Sequence, residues 1–166
     1  MLAHVHNEIK LTKGKRSMTF FEVPLSHRKD YIDLLLLADE SETMVNRYLE
    51  RGDMHAIKDG GKVVCICFVT DEGNATLEIK NLAVSPDAQK RGYGKKMIEY
   101  IKETYVKKYE YLIVGTGDSP LTVPFYEKCG FVRSHIIPNF FTQNYDHPIV
   151  ECGIKLVDLI YLKQKI

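Results

Sequence analysis

Between Leu82 and Lys96 the chain reads Leu-Ala-Val-Ser-Pro-Asp-Ala-Gln-Lys-Arg-Gly-Tyr-Gly-Lys-Lys: an apolar strand-like run, a short turn and the opening of a helix. The helix start is rich in Lys, Arg and Gly and carries no acid. Cations at a helix N-terminus oppose the macrodipole, each by several tenths of a kcal/mol. Such a start calls for an external anion. Glycines at 92 and 94 let a ligand approach the backbone, and the N–H groups of a helix start can hold phosphate oxygens. A hydrogen bond to a charged group is worth about 1.5–3 kcal/mol, so several converging on one pyrophosphate would anchor a cofactor. Neither G-x-G-x-x-G nor G-x-x-x-x-G-K-[ST] is present, which weakens dinucleotide and P-loop readings. R-G-x-G alone matches many solvated loops; the strand before it, the helix after it and Gln89 ahead of it supply the context.

The elements that must hold this loop follow from periodicity. Past the loop, Gly94, Met97, Ile98, Ile101 and Tyr105 form one apolar stripe, predicting a helix over 91–106. A strand is expected at 111–115, a short helix near 124–128, and two closing strand-like runs at 131–137 and 149–162. Ahead of the loop, the runs 53–58, 62–70 and 75–84 alternate as strands, joined by Asp59-Gly60-Gly61 and Asp71-Glu72-Gly73-Asn74. Two helices come earlier. Ser26 is placed to cap one over 27–38, and Asp39 with Glu42 resembles a capping box opening a second, with Met44, Val45, Tyr48 and Leu49 inward and Gly52 as its stop. A further strand fits 18–23. Short turns imply antiparallel pairing, and a helical crossover after 84 allows a parallel neighbour. The expected fold is α/β (α+β): a single mixed, mostly antiparallel twisted sheet with helices on both faces.

Composition bounds the function. The chain has 166 residues, 45% hydrophobic and 27% charged, enough for one globular domain over 18–166. Residues 1–17 are polar and basic and read as a flexible leader, with Met18 an alternative start. A formal net charge of +1 speaks against nucleic acid as a partner. No run of 18 apolar residues and no signal-peptide h-region occurs, so no membrane partner and a cytoplasmic location are expected. Cys65 and Cys67 share a strand face and read as buried thiols; no His, Cys and acid set suggests a metal.

Gln89-Lys90-Arg91-Gly92-Tyr93-Gly94 resembles the Q/R-x-x-G-x-G/A signature of the GCN5-related N-acetyltransferase (GNAT) superfamily, here a small bacterial-type member. Pro124-Phe125-Tyr126-Glu127-Lys128-Cys129-Gly130-Phe131 is similar to its second signature, F-Y-x-x-x-G-F, and the strand order matches over about 18–162. The resemblance implies that acetyl-CoA is the co-substrate. Its pyrophosphate would lie on the amides of Gln89, Lys90, Arg91, Gly92, Tyr93, Gly94 and Lys95, with Arg91 and Lys95 adding charge. Leu82, Ala83 and Val84 match the bulged strand that contacts the pantetheine and the acyl carbonyl. Tyr126 matches the tyrosine proposed to protonate the leaving thiolate; the plainer reading is an aromatic anchor for a short helix. Glu78 matches the glutamate base of histone-type members; the plainer reading is an exposed strand residue paired with Lys80. Ser119 could flank the CoA arm, or serve the turn as a cap.

The implied activity is acetyl transfer from acetyl-CoA to a primary amine of a small molecule or peptide, by direct attack in a ternary complex. The alternative is a non-catalytic acyl-CoA-binding sensor, which would keep the loop and lose the Tyr126 and Glu78 roles. The aromatic, polar stretch 139–147 suits the cover of an acceptor pocket, with Tyr145, Asp146 and His147 as contacts, although for His147 the plain loop is the leading reading. The long last run offers an edge for a homodimer.

Overall fold

The computed structural model describes residues 9–13 and 16–166, with side chains from Ser17 onward. It resolves into two compact units, each made of two segments of the chain. The first comprises the described residues up to Thr70 together with Lys80–Thr104; the second comprises Asp71–Ile79 and Tyr105–Ile166.

The first unit opens with strands β1 (Ile9–Lys13) and β2 (Arg16–Val23), paired antiparallel from Ile9 opposite Phe20 to Lys13 opposite Arg16. This amends the leader expected over 1–17: Ile9 and Leu11 alternate with Lys10 and Thr12, a period-two pattern that suits a strand. Residues 1–8, 14 and 15 lie outside the described residues. A 3-10 turn over Leu25–Tyr31 leads into α1 (Ile32–Ala38), so the helix begins later than expected and Ser26 does not cap it. Helix α2 (Glu42–Asn46) is capped by Ser41, whose Oγ accepts from the Met44 amide at 3.3 Å, while Asp39 Oδ1 accepts from the Ser41 amide at 3.1 Å. The box expected at Asp39 thus shifts by two residues. Serine fits here because its short hydroxyl reaches the third amide.

Strands β3 (Asp53–Asp59) and β4 (Lys62–Asp71) form the expected hairpin, with Asp59 opposite Lys62. Gly60 and Gly61 both take positive φ, as a two-residue turn of this hand requires. Gly52 does not end a helix; a Cβ there would stand 2.0 Å from the Val69 carbonyl oxygen, so only glycine lets the chain pass. β5 (Thr76–Val84) follows, and then α3 (Tyr93–Tyr105) after the loop. The order in this unit is β1-β2-β3-β4-β5. Its core joins Val23, Leu35, Val45, Met54, Ile66 and Phe68. Asn81 ties α1 to β5 by donating from Nδ2 to the Leu35 carbonyl at 2.8 Å and the Tyr48 hydroxyl at 3.0 Å.

His55, on β3, sits 2% exposed with its ring edge-on to Tyr100 at 5.5 Å. Burial drives its pKa from the ordinary 6.5 down to about 4, with Asp53 opposing the shift and Arg28 adding to it. Between those values the unfolded chain takes up a proton that the folded chain refuses. Stability is therefore retained above pH 6.5 and lost as the pH falls toward 4, by about 3 kcal/mol in total. Urea unfolding across that range checks it: His55→Gln should lose most of this slope, and an unchanged slope would assign it to other groups.

In the second unit, β5 runs parallel to β6 (Tyr111–Gly117), as the crossover predicted, with Glu78 opposite Ile113. Helix α4 (Val123–Lys128) and β7 (Val132–Ile137) come next, then α5 (Phe140–Asn144), a helix within the stretch expected as loop. The uninterrupted strand expected over 149–162, the basis for a homodimer edge, is instead a small hairpin followed by a separate strand. β8 (Val150–Glu151) turns through Cys152 and Gly153, both at positive φ, into β9 (Ile154–Lys155). β10 (Leu159–Lys165) then lies between β6 and β7, antiparallel to both. The order here is β5-β6-β10-β7. The expected mixed, mostly antiparallel α/β architecture is present. No helix among the described residues is long and apolar enough to cross a membrane.

Candidate active site

In the first unit, the segment from Val84 to α3 is tightly built. The Ser85 amide donates to the Val64 carbonyl at 2.9 Å, and the Gln89 side chain folds back to donate to the Val84 carbonyl at 3.2 Å. A 3-10 turn over Pro86–Ala88 buries Ala88, and Ser85 Oγ donates to Asp87 Oδ1 at 2.8 Å, which holds that carboxyl below its ordinary range. Leu82 and Val84 are half-buried and Ala83 is buried. Lys90 and Gly92 both take left-handed φ, +60° and +83°. A lysine in that region costs of order 1 kcal/mol, the kind of strain that accumulates at binding loops. A Cβ on Gly92 would meet nothing within 4 Å, so the backbone there faces open space.

The helix that follows presents its start to that space. Its first bond of the α type runs from the Lys96 amide to the Gly92 carbonyl at 3.1 Å, so the Gly94 and Lys95 amides precede the intrahelical ladder. Tyr93 is buried and its hydroxyl donates to the Asp59 carboxylate, securing the start of α3 to the β3–β4 turn. The Arg91 guanidinium and the Lys96 ammonium lie 5.4 and 5.3 Å from the Tyr93 ring centroid. Two cations are thereby held against one aromatic ring beside open backbone, an arrangement suited to a multiply charged anion.

The second unit holds the two residues with acid–base chemistry. Glu78 is 5% exposed, and its Oε1 accepts from the Tyr161 hydroxyl at 2.9 Å. The reading of Glu78 as an exposed strand residue is therefore wrong: β5 is an inner strand, and the residue faces packed neighbours. Tyr126, on α4, is 8% exposed, with its ring edge-on to Phe125 at 5.0 Å and to Phe131 at 5.6 Å. Gly130, at φ +97°, turns the chain so that the Phe131 amide reaches the Tyr126 carbonyl at 3.1 Å. Ser119 is buried and its Oγ accepts from the Leu121 and Thr122 amides at 3.1 and 3.4 Å, the turn-and-cap arrangement.

The stretch after β7 gathers Tyr145, Asp146 and His147 at a hollow of about 220 Å³, shared with Phe141, Lys155 and Leu156. His147 Nδ1 and Asp146 Oδ1 are 2.6 Å apart, and that contact holds the Asp146 carboxyl below its ordinary range. Tyr145 stacks on Phe141 at 5.7 Å. Cys65 and Cys67 are buried on β4, and burial pushes the Cys65 thiol up to about 12, removing it from nucleophilic chemistry. Sequence reasoning missed Tyr161, since nothing local in the chain points to a partner 83 residues away.

Comparison with known proteins identifies the family. A sequence model described as an acetyltransferase (GNAT) domain matches residues 50–133. The uncharacterized N-acetyltransferase YvbK of Bacillus subtilis is 36% identical over 132 residues, which are 78% of this chain and 85% of that protein. An IAA acetyltransferase from Bacillus cereus superposes with a TM-score of 0.84 at 34% identity, covering 90% of this chain and 100% of the other. A GNAT family acetyltransferase from Elizabethkingia anophelis, with acetyl-CoA bound, gives 0.79 at 30% identity over 99% of this chain and 100% of the other. With the strand–loop–helix in place and the family model spanning both signatures, this chain belongs to the GNAT family of N-acetyltransferases.

Proposed function

We propose that the chain moves the acetyl group of acetyl-CoA to a primary amine of a small molecule or peptide, by direct attack in a ternary complex. The observation that carries this reading is the loop from Gln89 to Lys95. There, left-handed Lys90 and Gly92, open backbone at Gly92 and the basic start of α3 form a cradle for a pyrophosphate. Leu82, Ala83 and Val84 supply the strand backbone for the pantetheine arm, where an N–H can stabilise the carbonyl oxygen as it becomes an oxyanion. Ser119 contributes through the turn it holds.

The chemistry divides between two side chains. Glu78, directly or through one water, takes the proton from the ammonium form of the acceptor. The neutral nitrogen attacks the thioester carbon, the carbon–sulfur bond breaks as the Tyr126 hydroxyl gives its proton to the departing thiolate, and the surplus proton on the new amide nitrogen passes through water to restore the Tyr126 hydroxyl. Amide and free CoA thiol result. The hollow beside Tyr145, Asp146 and His147 is the proposed seat of the acceptor's distal part. The cytoplasm is the proposed location, in keeping with four cysteines that form no disulfide among the described residues.

A thiol-release assay tests the reading, with acetyl-CoA offered to a panel of an amino acid, a polyamine, an aminoglycoside and a short peptide. Amine-dependent release by at least one acceptor is expected. Tight acetyl-CoA binding without release on any acceptor would favour the sensor role instead.

A further inference from the structure

Within the second unit, Glu78 belongs to a polar chain assembled from three strands. Its carboxylate accepts from the Tyr161 hydroxyl at 2.9 Å, yet β6 lies between their strands, with Ile113 opposite Glu78 and Gly115 opposite Tyr161. The tyrosine reaches across β6, and Gly115 is what permits it. A Cβ there would stand 3.1 Å from Tyr161 Cζ and 3.0 Å from Leu159 Cδ2, closer than ordinary contact. On the other side, the β7–β10 register slips between Ile160 and Leu162, the two neighbours of Tyr161. Into that irregularity comes His135, lying flat on the Tyr161 ring with centroids 4.5 Å apart and planes 8° from parallel.

We infer that Tyr161 is a positioning residue for amine deprotonation: its hydroxyl orients the Glu78 carboxylate, Gly115 is the notch that admits the ring, and His135 is its cover. The inference rests on the reading of Glu78 as the base. A carboxylate without a fixed donor can rotate away from the proton it has to take. A phenol can supply that donor only while it keeps its own proton. Burial first, and the Glu78 charge second, raise Tyr161 above its ordinary value of 10, so it donates throughout the working range. The titratable groups nearest in sequence on these strands are Lys80 on β5 and Lys163 on β10; His135 on β7 covers the ring, and Glu72, in the turn before β5, raises Tyr161 further. The Tyr161→Phe change leaves all four in place, along with the ring stack.

The test is the pH profile of kcat/KM for the best acceptor of the panel, with a thermal melt as control. In Tyr161→Phe the acid limb should move to higher pH by about one unit, since a hydrogen bond to a charged group is lost. Gly115→Ala, which crowds the ring, should move the limb in the same direction. An acid limb still in place in Tyr161→Phe would overturn the inference, even beside a uniform loss of rate. Glu78→Gln decides the underlying reading separately: wild-type rates in that variant would overturn the base assignment, and the inference with it. A strong loss there beside an unmoved acid limb in Tyr161→Phe would overturn the positioning role alone.

Discussion

Replacing Gly94 by aspartate is expected to lower acetyl-CoA affinity by at least about 100-fold in a protein that still folds. The substitution sets a carboxylate in the first turn of α3, where the proposed pyrophosphate meets the amides of Gly94 and Lys95. Two charge-assisted hydrogen bonds at about 1.5–3 kcal/mol each already account for a loss of that size, before repulsion between like charges is added. Gly94 is buried on the packed stripe of α3, so the melting temperature is expected to fall, partly offset by the favourable placing of an acid near a helix N-terminus, and affinity is compared well below that temperature. Met97, Ile98 and Ile101, which anchor the helix, are untouched. Calorimetric titration with a thermal melt as control decides the matter. Unchanged affinity in a folded variant would remove the loop from the cofactor site.

The second large effect concerns Tyr126. Tyr126→Phe should lower kcat by about 100-fold, the lower range for loss of a general acid. The phenylalanine keeps both edge-on contacts, to Phe125 and Phe131, so melting temperature and acetyl-CoA affinity should stay near wild type. That separation is what makes the variant informative. Wild-type turnover would leave Tyr126 as a ring that packs α4, and nothing more.

What could be read from the sequence, and what could not, follows from the range of each signal. The Asp59-Gly60-Gly61 turn and the stripe from Gly94 to Tyr105 are local patterns, and both elements lie where those patterns place them. The signatures at Gln89–Gly94 and Phe125–Phe131 are local too, and they carried the family. Helix starts were less legible. Asp39 and Ser41 are both good capping residues two apart, and only the geometry shows that Ser41 reaches the helix amide while Asp39 braces Ser41. The closing run looked continuous because Cys152 is not a residue that announces a turn, yet it takes φ of 51° ahead of Gly153. Glu78 is the instructive case. Its burial and its bond to Tyr161 arise from strand order, with β10 inserted beside β6, and no pattern within β5 reveals which strands will flank it.

The account stands or falls on the cofactor. Isothermal titration of the purified protein with acetyl-CoA, CoA and ATP in parallel tests it most directly. Saturable binding of acetyl-CoA and CoA with no response to ATP is the predicted result, since the loop is read as one that holds a CoA pyrophosphate and lacks a triphosphate signature. Failure of acetyl-CoA and CoA to bind would contradict it, and would leave a GNAT fold whose loop no longer serves a cofactor.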